Sequence, residues 1–194
     1  MDETTEGPRA RYRRQIREEV QVRAWEQMSQ DGASALSLKA IATQMGMTAP
    51  ALYRYYSSRD ELLTELILGA YAELADLVER EGAGDAGLAG IAEALRGWAL
   101  THPQKYLLLY GTPVPGYHAP DAATVLAQRI FAPILAGFAA LEGGSAEAPS
   151  SPARSLRFWT RLHGVISLEV AGHFRGVEFD PAQLYRDEVA LLLG

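Results

Sequence analysis

No cysteine occurs in the 194 residues. That excludes disulfides, thiolate metal sites and cysteine nucleophiles, and it makes a reducing compartment the natural setting. Long apolar runs are missing as well. No stretch approaches the roughly 20 uninterrupted apolar residues of a membrane span, and the first residues are charged without an apolar signal core. A soluble, cytoplasmic protein with no membrane partner is expected. No segment shows the strict apolar–polar alternation of a half-buried strand. Catalytic signatures are absent too: there is no nucleophile elbow, no His-Glu-x-x-His pair and no phosphate loop. Gly82, Gly84 and Gly87 have the spacing of a dinucleotide fingerprint, but a charged helical run precedes them where a buried strand is required. His163 has no metal-ligand partner at suitable spacing among His102, His118 and His173. No enzymatic activity, cofactor or metal is expected.

What is present supports a packed fold. Apolar residues make up 48% of the chain, enough for a core. The net charge of -6 is unevenly distributed. Residues 8–59 hold eight Arg and Lys39 against Glu18, Glu19, Glu26 and Asp31, a balance of +5, whereas residues 60–194 carry -8. A basic head on an acidic body draws polyanions to one end.

The head carries the clearest pattern. Leu38, Ile41, Ala42 and Met45 fall at i, i+3, i+4 and i+7, with Ser37 in the capping position. Gly46 suits the left-handed turn that ends a helix, and Thr48 with Pro50 opens another at once. A linker this short predicts a helix-turn-helix, its second helix spanning Thr48 to Tyr55. Upstream, the Arg9, Arg11, Arg13, Arg14 cluster runs into a helix with Ile16, Val20, Ala24 and Met28 on one face. Beside a helix-turn-helix the cluster reads as an arm for phosphates or the minor groove.

Residues 11–67 resemble the DNA-binding domain of the TetR (tetracycline repressor) family of transcriptional regulators. The resemblance lies in Ala24 to Gly32, in Leu38-x-x-Ile41-Ala42-x-x-Met45-Gly46-Met47, and in Leu52-Tyr53-Arg54-Tyr55-Tyr56 followed by Arg59-Asp60-Glu61-Leu62-Leu63. Tyr56 departs from the family's more frequent Phe. Trp159-x-x-x-His163-Gly164 is similar to the tryptophan-histidine-glycine (WHG) signature of one class of TetR C-terminal domains. The resemblance implies a sequence-specific regulator, a repressor that a small molecule releases from a palindromic operator in double-stranded DNA. A helical dimeric interaction protein that has lost operator binding is the alternative.

Carried over by position, Ser37, Lys39, Thr48, Ala49, Tyr53, Arg54, Tyr55 and Arg59 become DNA-contact candidates, with Arg11 and Arg14 from the basic cluster. Leu52 and Tyr56 are expected in the core. One such module reads few bases, so a homodimer with heads about 34 Å apart is required. Trp159, His163, Gly164, Ile166, Val170 and Phe174 are the candidate dimer residues, although an internal core fits the same stripe. Trp98, Tyr106, Tyr110, Tyr117, Phe131, Phe138, Phe158 and Trp159 are candidates for lining a cavity that takes a small apolar or cationic effector, or alternatively for core packing.

The expected fold is all-α, with about nine helices: a leader over 1–8, a three-helix DNA-binding head over 9–58, and a helical ligand-binding and dimerisation domain over 59–194. A helix from Arg59 to about Glu81 joins the two. Helices follow over 88–101, 103–110, 121–141, 153–174 and 181–193, with loops at 111–120 and 143–152. Asp121 is placed as a cap, and Pro133 as a kink or local unwinding.

Overall fold

The computed structural model describes residues 7–141, 143 and 152–194, and every regular element among them is helical. These are α1 (Pro8–Asp31), α2 (Leu38–Gln44), α3 (Ala49–Leu52), α4 (Arg59–Gly82), α5 (Gly87–Thr101), α6 (Pro103–Tyr110), α7 (Asp121–Leu141), α8 (Pro152–Val170) and α9 (Pro181–Leu193), with a 3-10 turn at Ala33–Ala35. The expected leader and the 143–152 loop lie largely outside the described residues; α1 already begins at Pro8 and α8 at Pro152.

The chain divides into two compact units. The first comprises Met1–Ile67 with Thr112–Ala119, the second Leu68–Gly111 with Pro120–Gly194. The head expected over 9–58 lies wholly within the first unit, which extends to Ile67. The first turns of α4 bury Leu62, Leu63 and Leu66, so the head's apolar core needs them. Loop 112–119 joins the same unit through the Tyr117 hydroxyl, 3.0 Å from Thr64 Oγ1.

In the first unit α1 buries Val20, Ala24 and Met28, and α2 buries Leu38, Ile41 and Ala42, as the periodicity predicts. Ser37 Oγ accepts from the Ala40 amide and caps α2. At the other end Met47 N–H donates to the Ala42 carbonyl and Gly46 N–H to that of Thr43, while Gly46 sits at φ +65°. This is a Schellman closure, which favours glycine because a Cβ is strained there. Thr48 caps α3, but that helix has only four residues rather than the eight expected. After Leu52 the chain tightens: Arg54 and Tyr55 N–H donate to Ala51 and Leu52, three residues back. The tightening turns Tyr56 inward, where it is fully buried.

In the second unit α5, α7, α8 and α9 pack around one core. Phe138 and Phe158, both fully buried, meet edge to face with centroids 5.6 Å apart. Each contributes roughly 2–3 kcal/mol by leaving water. Arg96 grips Glu169 with two bonds, of 2.9 and 2.6 Å, and the Tyr185 hydroxyl donates to the Ala92 carbonyl at 2.7 Å. α8 stops at Val170, short of the expected 174, because the Gly172 and His173 amides close it on the Glu169 and Leu168 carbonyls. Asp121 stands in the first turn of α7 rather than as its cap, and the helix runs through Pro133 without an unwound turn. α7 is long and apolar enough to cross a membrane, with mean hydropathy 1.6. It nevertheless buries Ile130, Ile134 and Phe138 in the protein core and carries Arg129, paired with Asp76 and Glu79.

Candidate nucleic-acid interface and aromatic cluster

The recognition segment is held from behind by α1. Arg13 Nη2 donates to the Arg54 carbonyl at 3.3 Å and Arg17 Nη1 to the Tyr55 carbonyl at 2.6 Å. These carbonyls belong to the turn just past α3 and have no backbone donor of their own there among the described residues. Arg17 also lies over the Tyr56 ring at 4.2 Å and pairs with Glu65. Glu65 in turn accepts from Gln21 and, at 3.1 Å, from the Tyr56 hydroxyl. Burial pushes the Tyr56 phenol up to about 12, so it stays a donor. Arg13, Arg17 and Gln21 recur at i, i+4 and i+8: the two arginines fix the backbone of a segment too short to hold itself, and Gln21 reaches the Tyr56 hydroxyl and Glu65 behind it.

That support leaves the opposite face of the segment free. Thr48, Tyr53 and Arg54 are exposed, and Ala49 and Tyr55 are half-buried. Thr48 Oγ1 accepts from Ala51 at 3.4 Å, which leaves its hydroxyl proton available to an acceptor. Lys39 is exposed one residue into α2, and Ser37, half-buried, is its cap. Arg11 and Arg14 are exposed but belong to α1, and Arg14 pairs with Glu18 at 3.5 Å, so the basic cluster is a helical face and not an extended arm. Arg59, expected at phosphates, donates to the carbonyls of Ala33, Ser34 and Leu36 at 3.0–3.2 Å. Its fork pins the turn that delivers α2. Arg59→Lys, which keeps the charge but loses the fork, is therefore expected to cost about 1–2 kcal/mol of stability. A lysine tolerated without loss in thermal melting would return Arg59 to a phosphate role.

In the second unit the aromatic candidates separate. Tyr106, Tyr110, Phe131 and Trp159 gather near His163: its ring lies 4.0 Å from Trp159, 4.5 Å from Tyr110 and 5.5 Å from Tyr106, and Phe131 is 4.9 Å from Trp159. Phe138 and Phe158 are core, because no part of either ring is exposed. Trp98 is also buried, its indole N–H donating to Glu73 at 2.8 Å. Tyr117 belongs to the first unit altogether.

Comparison with known proteins agrees with this geometry. Residues 22–66 match the model of the bacterial regulatory proteins of the tetR family, and residues 88–192 match the tetracyclin repressor-like C-terminal domain. The HTH-type transcriptional regulators Mb1846 of Mycobacterium bovis and Rv1816 of Mycobacterium tuberculosis are each 39% identical over 93% of this chain and 94% of their own. The chain belongs to the TetR family of transcriptional regulators. A crystal structure described as that of regulatory protein SCO4313 superposes with a TM-score of 0.89, at 51% identity, over 97% of this chain and all of the other. In this TetR-family regulator the stripe expected at a dimer interface is buried at Ile166 and half-buried at Trp159, His163, Val170 and Phe174. Ile166 is fully buried, Val170 packs on the core, and Trp159 and His163 face the aromatic cluster. Phe174 lies beyond α8, beside Phe179. Of the six dimer candidates, Gly164 alone is exposed.

Burial lowers the His163 imidazole to about 4, from an ordinary 6.5. The unfolded chain takes up this proton below pH 6.5 and the folded one does not, so His163 costs nothing above pH 6.5 and destabilises increasingly as pH falls toward 4. The expected loss at pH 5 is about 2 kcal/mol. Urea unfolding of wild type and His163→Phe at pH 7.5 and 5 checks it: the variant should lose that much less on acidification.

Proposed function

We propose that this regulator is a homodimeric repressor that leaves a palindromic operator when a small apolar molecule occupies the aromatic cluster of its body. The carrying observation is the exposed recognition face of Thr48, Tyr53 and Arg54, braced through the Arg54 and Tyr55 carbonyls by Arg13 and Arg17. Such a face, set in the major groove, brings Ala49 and Thr48 to base edges at the leading end, Arg54 to guanine or phosphate, and Tyr53, Tyr55 and Lys39 to the backbone.

Dimerisation is assigned to the outer face of α8. Leu156, Thr160, Gly164 and Leu168 are all exposed there, and a Cβ at Gly164 would meet nothing within 4 Å. A partner helix can approach closely over that glycine. Membership of the WHG class fits the same helix: Trp159 and His163 turn inward while Gly164 stays open. Three aromatic rings around His163, with Phe131 against Trp159, suit a flat apolar effector. Selection of bound duplexes from random DNA at a stated moderate salt concentration tests the reading. Enrichment of a near-palindrome supports a dimeric operator-binding repressor, and no enrichment by a folded dimer rejects it.

A further inference from the structure

We propose that His163 is the polar anchor of the effector site, offering its Nε2–H to a hydrogen-bond acceptor on a flat apolar molecule held against Tyr110, Trp159 and Phe131. The inference rests on the effector-released reading above and specifies what chemistry the site takes. Three observations carry it. The imidazole is walled by rings, with Trp159 and Tyr110 at 4.0 and 4.5 Å and Tyr106 stacked at 15°. Its Nδ1 is occupied by the Tyr106 hydroxyl at 2.9 Å. Its Nε2 is buried and has no hydrogen-bond partner among the described residues.

The tautomer is part of the proposal and rests on the Tyr106 contact. Burial raises the Tyr106 phenol, which stays protonated. The phenol oxygen lies 2.9 Å from Nδ1 and 3.4 Å from the His163 carbonyl; with the nearer Nδ1 taken as the acceptor of its proton, the imidazole proton is left on Nε2. A buried N–H facing aromatic rings forfeits a hydrogen bond, which an acceptor on a bound molecule would restore. The matching group is a ketone, ester or ether oxygen on an otherwise apolar, planar body. An effector carrying a cation at this point would meet the positive end of the N–H dipole, which narrows the expected apolar or cationic class to acceptor-bearing apolar molecules.

Acetophenone and α-methylstyrene are the matched probes. They share shape, and differ by a carbonyl oxygen in place of a methylene. Apolarity alone favours the hydrocarbon. Calorimetric titration of the full-length protein is expected to show acetophenone binding about tenfold more tightly, roughly the value of one added hydrogen bond. His163→Phe should reverse the preference, and His163→Gln, whose amide can place an N–H near the same point, should restore much of it. Equal affinities in the wild type, a preference that survives His163→Phe, or binding of neither probe up to its solubility limit overturns the proposal. Operator binding is measured separately on the same samples: its absence would reject the repressor reading, whereas a ketone preference would stand on its own.

Discussion

Replacing Tyr53 and Arg54 together with alanine is expected to lower operator affinity by roughly a hundredfold or more while leaving a folded protein. Each lost base or phosphate contact is worth about 1–3 kcal/mol, and these two side chains stand on the face that nothing in the head covers. The fold should not notice. Tyr53 is 49% exposed, and the part of Arg54 that the head uses is its carbonyl, which alanine also supplies to Arg13. A binding isotherm on the selected duplex, repeated at several salt concentrations, separates the roles. If Arg54 meets phosphate, the slope of log K against log salt shrinks by about one, and nonspecific DNA is bound more weakly too. If Arg54 reads guanine, the loss concentrates on the cognate site. A double variant that still binds its operator normally would show that this segment is not the reading element.

The same face shows what the residues disclosed and what they withheld. Spacing at Leu38, Ile41 and Ala42, the Ser37 and Thr48 caps and the Gly46 turn are local, and each appears in the structure where the pattern put it. The length of α3 was not legible, because its end is set by Arg13 and Arg17 reaching backbone carbonyls some 40 positions away. A sequence shows an arginine but not its acceptor. For the same reason Arg59 matched a phosphate-binding position while its fork is used on the carbonyls of the turn before α2. In the body, periodicity put Trp159, His163, Ile166, Val170 and Phe174 on one stripe with Gly164 beside it; in the structure the first four share α8 and Phe174 lies beyond its end. Periodicity could not say whether that stripe meets the chain's own core or a partner. Tyr117 likewise sits among the body's aromatics in sequence, and only the bond to Thr64 reveals its place beside the head.

The outer face of α8 therefore carries the second large effect, and Gly164→Arg isolates it. A Cβ at 164 would meet no atom of its own protomer within 4 Å, and an interior helical glycine replaced by a residue of better helix propensity gains about 0.5–1 kcal/mol. The variant protomer is thus expected to be as stable as the wild type or slightly more so. The dimer is expected to fail, because a guanidinium stem occupies the space through which a partner helix would approach, and two copies of it face each other across a two-fold axis. Sedimentation should show a monomer. Operator affinity should drop by roughly a thousandfold, since a lone head reads one half-site and loses the second module's effective concentration. Leu168→Glu, on the same exposed face, should act in the same direction. Ile166→Ala provides the contrast: its side chain is fully buried within the protomer, so it should cost about 2–5 kcal/mol of folding stability rather than split the dimer. A Gly164→Arg protein that still sediments as a dimer and binds its operator would place the interface on another face, and the inward turn of Trp159 and His163 would then say nothing about where the partner sits.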